Sequence, residues 1–114
     1  MLLQGFNITN NTADEDCTHG FILVYSAQTQ PVICKDMHFE GNESRKSGGI
    51  FVYATDSTFE NISFLNNVSA DEVASLWLNI QDIASLTKKT YITGCTFEGN
   101  KALAGAGIII ETQV

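Results

Sequence analysis

Apolar and polar positions alternate in short runs along this chain, and the runs recur at fixed offsets. Ile8, Phe39, Phe64 and Phe97 mark the recurrence. Two residues before each marker stands a second apolar side chain: Phe6, Met37, Ile62 and Cys95. Five before it stand Leu3, Cys34, Phe59 and Ile92. Residues two apart share one face of a strand, so the pattern predicts short strands with one buried face. Three before the markers come Gly5, Asp36, Asn61 and Gly94, residue types that tolerate a left-handed backbone and predict a tight bend. Three after them come Asn11, Asn42, Asn67 and Asn100, whose amides can bond turn backbone and the Asn one layer away.

A second strand follows seven to nine loop residues later, at Phe21-Ile22-Leu23-Val24, Ile50-Phe51-Val52-Tyr53, Leu76-Trp77-Leu78 and Ile108-Ile109-Ile110. Gly20, Gly49 and Gly107 directly precede three of the four. A third strand precedes the bend, as in Val32-Ile33-Cys34 or Tyr91-Ile92. The markers lie 31, 25 and 33 residues apart, within the range of repeat architectures. Three strands per repeat predict an all-β parallel β-helix, a solenoid of about four rungs stacked ~4.8 Å apart. The whole chain, 1–114, reads as one such segment of a longer or stacked helix. One window competes. Ser69-Ala70-Asp71-Glu72 forms a capping box, and Val73, Leu76, Trp77, Ile80 and Ile83 follow with helical spacing. The four-segment register favours a strand there.

These columns resemble the right-handed parallel β-helix of the pectate-lyase-like group, and most closely the FxxN and GGxI repeats of the polymorphic outer membrane proteins. FxxN stands at Phe39-Glu40-Gly41-Asn42, Phe64-Leu65-Asn66-Asn67 and Phe97-Glu98-Gly99-Asn100, with Ile8-Thr9-Asn10-Asn11 as a variant. GGxI stands at Gly48-Gly49-Ile50-Phe51 and, less closely, at Gly105-Ala106-Gly107-Ile108. Rung three departs from the pattern in lacking the Gly pair. The resemblance implies a scaffold that serves both polysaccharide-degrading enzymes and non-catalytic surface stalks.

Composition narrows the choice. The 114 residues are 44% hydrophobic and 17% charged, with net charge −7 and a sequence pI near 4.5. That sign disfavours nucleic acid and anionic membranes as partners. No apolar run is long enough to span a bilayer, and Met1-Leu2-Leu3-Gln4-Gly5 lacks the features of a signal peptide. Asn-x-Ser/Thr sequons at Asn7, Asn10, Asn42, Asn61 and Asn67 exceed the about 1.5 expected by chance, which points to a secreted glycoprotein. Asn7 is expected to face outward and carry a glycan, whereas Asn42 and Asn67 also belong to the Asn column. Cys17, Cys34 and Cys95 are an odd set, with a Cys17–Cys34 disulfide as one pairing and no spacing for zinc.

Candidate chemistry is sparse, and neither a catalytic set nor a cofactor is expected. Asp14-Glu15-Asp16 and Asp71-Glu72 follow the Asn column, while Arg45 and Lys46 hold the corresponding place in rung two. The arrangement reads as a surface ion-pair ladder. A calcium site from Asp14, Asp16, Asp71 and Glu72 is the weaker alternative. Asp36 and Asp56 read as turn caps, and His19 and His38 as solvated side chains without a Ser/His/Asp order. Trp77 and Phe51 face outward, to stack on sugars or to pack under a loop. The expected function is therefore a non-catalytic extracellular or cell-surface structural or adhesive segment, of stalk or fibril type. It would associate with itself through uncapped ends or continue into flanking rungs. A polysaccharide lyase or glycosidase and a glycan-binding module are the alternatives.

Overall fold

The computed structural model describes residues 1–13, 21–25, 31–45, 49–54, 56–71, 75–80 and 89–112. Among these every regular element is a strand: β1 (Leu2–Gln4), β2 (Asn7–Thr9), β3 (Ile22–Tyr25), β4 (Val32–Glu40), β5 (Glu43–Ser44), β6 (Ile50–Ala54), β7 (Ser57–Leu65), β8 (Val68–Ser69), β9 (Leu76–Ile80), β10 (Thr90–Thr93), β11 (Thr96–Glu98), β12 (Lys101–Ala102) and β13 (Ile108–Thr112). All pairings are parallel. They form three sheets: β1-β4-β7-β10 with β2 and β11 beside β4 and β7, then β12-β8-β5, then β13-β9-β6-β3. From β4 onward the chain visits the three sheets in that order on each pass, and each pass lies beside the one before it.

The register places the marker residues in one column, with Ile8 opposite Phe39, Phe39 opposite Phe64 and Phe64 opposite Phe97. The second column runs Ile22, Ile50, Leu76, Ile108. Leu76–Ile80 is a strand, not a helix, because its backbone is paired on both sides and Trp77 lies between Phe51 and Ile109. Tertiary pairing outweighs the local helical spacing.

The expected bend column has left-handed backbone throughout: Gly5 (φ 78°), Asp36 (55°), Asn61 (53°) and Gly94 (62°). It folds β4 and β7 at their centres and separates β1 from β2 and β10 from β11. A second left-handed column, which the sequence reading missed, lies just before the Asn column: Asn10 (55°), Gly41 (64°), Asn66 (54°) and Gly99 (67°). Here Asn and Gly alternate for a steric reason. A Cβ on Gly41 would lie 2.5 Å from Asn10 Oδ1, and one on Gly99 would overlap Asn66 Oδ1. Each Asn amide uses the space that the next Gly leaves open.

The core lies between the sheets and is densest in the middle passes, where Phe39, Phe59 and Phe64 are fully buried. Phe39 stacks on Phe64 with ring centroids 5.0 Å apart, and Phe64 on Phe97 at 5.1 Å. Ile8 and Phe97, in the outer passes, are only partly buried against this core. Cys34 is a free, buried thiol whose pKa is pushed up to about 12 by burial. The half-buried Cys95 is raised mainly by desolvation, and its Sγ lies 3.6 Å from Phe59 O. Cys17, the other half of the disulfide considered above, lies outside the described residues. We expect a thiol reagent at pH 8 to label Cys95 in the native protein and to reach Cys34 only on unfolding. In the native protein the same burial that shields Cys34 also keeps its thiol protonated. Peptide mapping after pulsed alkylation reads the order, and equal rates at both sites would contradict this packing.

Candidate functional site: the asparagine ladder and its open faces

The Asn column is the most connected polar feature among the described residues. Each Asn follows a left-handed residue, which turns the chain so that the side chain points inward. Asn67 Oδ1 accepts from Asn42 N at 3.1 Å and from Asn42 Nδ2 at 3.0 Å. Asn67 Nδ2 donates to Phe39 O at 3.1 Å and to Asn100 Oδ1 at 3.1 Å. Asn42 repeats the arrangement, accepting from Asn11 N and Nδ2 and donating to Ile8 O. Asn42 and Asn67 are both fully buried with their amide donors engaged. A buried amide that uses both its donors and accepts twice carries little desolvation penalty, so the ladder stabilises rather than strains the turn.

The sequons divide by the same geometry. Asn7, Asn10 and Asn61 are exposed, whereas Asn42 and Asn67 lie inside. The folded structure leaves no room for a glycan at the last two, although their sequons are intact. Asn61 Nδ2 donates to Asp36 Oδ1 at 2.9 Å, and Gln4 Nε2 donates to Asp36 Oδ2 at 2.8 Å. These bonds, that from Asn61 foremost, hold the Asp36 carboxyl below the usual carboxylate range. The stability they add is present above the ordinary carboxylate pKa and is lost as pH falls through the lowered value.

The structure also brings together a constellation that sequence order did not reveal. His38 Nδ1 lies 2.6 Å from Ser63 Oγ, and His38 Nε2 lies 2.9 Å from Glu40 Oε2. The signal was available in the columns, since His38 and Ser63 hold the same offset on successive passes. The order is that of nucleophile, base and orienting acid. The surroundings do not suit acyl transfer. The backbone amides of β4 and β7 are committed to the sheet, so among the described residues no pair of donors converges on an oxyanion beside Ser63, and Glu40 brings negative charge to the cluster. We read it as a cross-pass hydrogen-bond network on an open sheet face.

Of the four calcium-site carboxylates, Asp14, Asp16 and Glu72 lie outside the described residues. Asp71 Oδ2 takes Arg45 Nε at 2.7 Å, an exposed pair that contributes under ~1 kcal/mol. This pair borders an open cavity of about 390 Å³ lined also by Thr12, Glu43 and Ser44. Ser44 Oγ is buried and has no hydrogen-bond partner among the described residues. Of the two aromatics expected to face outward, Trp77 is half-buried, and the side chain of Phe51 lies outside the described residues.

Leu2 and Phe6 are exposed on the first pass, and Ile108 and Ile110 on the last. Comparison with protein-family models, with curated proteins and with solved structures finds no match to this chain.

Proposed function

We propose that the chain is a right-handed parallel β-helix segment of about four rungs, of the pectate-lyase-like kind. It serves as a non-catalytic structural element of an extracellular or cell-surface stalk or fibre. The observation that carries this reading is the Asn ladder running through all four passes with the apolar columns beside it. Polar and apolar groups alike are committed to layer-on-layer contact, which is how a solenoid gains stability from each added repeat. The right-handed sense follows from the strong preference of parallel crossovers for that hand. The exposed sequons at Asn7, Asn10 and Asn61 support a secreted setting, and the resemblance of the FxxN columns supports the family of scaffolds.

Glycopeptide mapping of the protein secreted from a eukaryotic host tests the reading. Asn7 is expected to be modified, and Asn42 and Asn67 unmodified. Sugar on Asn42 or Asn67 in soluble, folded material would mean that the Asn column faces solvent and would end the proposal.

A further inference from the structure

We propose that His38 and Glu40 chelate a divalent transition-metal ion, Cu²⁺ foremost, with Ser63 holding the imidazole in the ligating tautomer. The site stands on the register of β4 against β7 and goes beyond the stalk or fibre reading.

His38 and Glu40 are two apart on β4, so both side chains leave the same face of the sheet. Both are partly exposed, so an ion can reach them from solvent. His38 Nε2 lies 2.9 Å from Glu40 Oε2. With metal–ligand bonds of ~2.0–2.1 Å, two atoms at that separation subtend an angle of about 90° at the ion. That is the angle between neighbouring ligands in a tetragonal N,O site, the geometry of Cu²⁺ and Ni²⁺ rather than of tetrahedral Zn²⁺. Oε2 now lies on the hydrogen-bond axis of the ring, so the half-exposed Glu40 carboxylate swings aside to admit the ion. Two ligands come from the described residues, and water completes the set.

Ser63 decides which ring nitrogen is free. An ionised carboxylate only accepts, so in the neutral ring Nε2 carries the proton and donates to Glu40. Nδ1 then accepts from Ser63 Oγ, 2.6 Å away. An ion on Nε2 requires the opposite tautomer, with the proton on Nδ1. Ser63 serves both states, because a hydroxyl that donates in one can turn to accept in the other. A ligating His commonly gives its other N–H to a partner that fixes the ring. Here that partner stands directly opposite His38 on the next pass. The net charge of −7 adds a general attraction for cations.

Calorimetric titration of the unmodified chain with Cu²⁺ tests the chelate. One site is expected, weakened at least tenfold in His38→Ala and in Glu40→Gln. Ser63 is a positioning residue, so Ser63→Ala is expected to weaken binding about tenfold and Ser63→Thr, which keeps the hydroxyl, to restore it. All four substitutions lie on the outward face, and thermal melts confirm that each variant is folded. Unchanged affinity in His38→Ala would place the ion elsewhere, as at His19, which lies outside the described residues, and would overturn the site. A loss in His38→Ala without one in Glu40→Gln would leave a single imidazole ligand and would overturn the chelate.

Nitrogen NMR of the unsubstituted protein gives a second arm that no folding defect can disturb. Saturation with diamagnetic Zn²⁺ is expected to move the ring proton of His38 from Nε2 to Nδ1. A proton that stays on Nε2, or an unchanged affinity in Ser63→Ala, would overturn the tautomer exchange on which the proposal rests.

Discussion

Replacing Asn67 with Ala is expected to lower stability by about 4 kcal/mol, a large share of the ~5–15 kcal/mol typical of a domain. The substitution leaves a backbone N–H and an amide hydrogen of Asn42 without their acceptor, inside a fully buried site. It also strips Phe39 O and Asn100 Oδ1 of a donor. Each buried group left unsatisfied costs ~1–3 kcal/mol, and the small side chain leaves a void in which little else can replace the bonds. Asn11→Ala is the internal comparison, since Asn11 is exposed and its loss leaves Asn42 Oδ1 able to reach water. Its cost should stay near ~1 kcal/mol. Urea denaturation followed by circular dichroism measures both. Equal, small losses would mean that the ladder is decoration on a fold held by the apolar columns alone.

Much of this architecture was legible because in-register parallel stacking places each residue against its own column. Periodicity along the chain then becomes adjacency in space. The Phe column, the bend at Gly5, Asp36, Asn61 and Gly94, and the strand at Leu76–Ile80 all follow from that equivalence. What escaped depends on side-chain direction and on contacts between passes. The His38–Ser63–Glu40 and Gln4–Asp36–Asn61 clusters face outward: the repeat aligned His38 with Ser63 and Asp36 with Asn61, but residue types vary from pass to pass there, so the bonds between them were not announced by a recurring pattern. The Asn–Gly alternation was visible at a fixed offset, but its reason is a steric one that needs two passes together. The sequons show the same limit. A sequon is read over three residues, whereas the layers on either side decide whether Asn42 or Asn7 can carry a sugar.

Gly49→Ala is expected to cost ~3 kcal/mol or more, the largest effect anticipated for adding a single methyl group. Gly49 has ordinary backbone angles, so its requirement is for space rather than for left-handed φ. A Cβ there would run into the carbonyl oxygen of Ser75 on the next pass and approach Phe64 Cε1 to 2.9 Å. The carbonyl cannot move aside cheaply, because Ser75 O accepts from Ile50 N at 2.9 Å. Nor can the ring, since Phe64 is stacked at 5.0 Å on one side and 5.1 Å on the other. Overpacking of a rigid site costs ~1–3 kcal/mol, and parting the two passes adds the weakened sheet bond and a loosened ring stack. Gly107 holds the same column on the last pass, yet nothing lies within 4 Å of a Cβ there, so Gly107→Ala in dilute solution should change stability by less than ~0.5 kcal/mol. The pair separates a backbone preference, which would act alike at both positions, from a layer contact, which acts only at Gly49. Thermal melts of the two variants decide between them: matched shifts would refute the contact, and a fall confined to Gly49→Ala would locate the closest approach of the passes beside the ring stack.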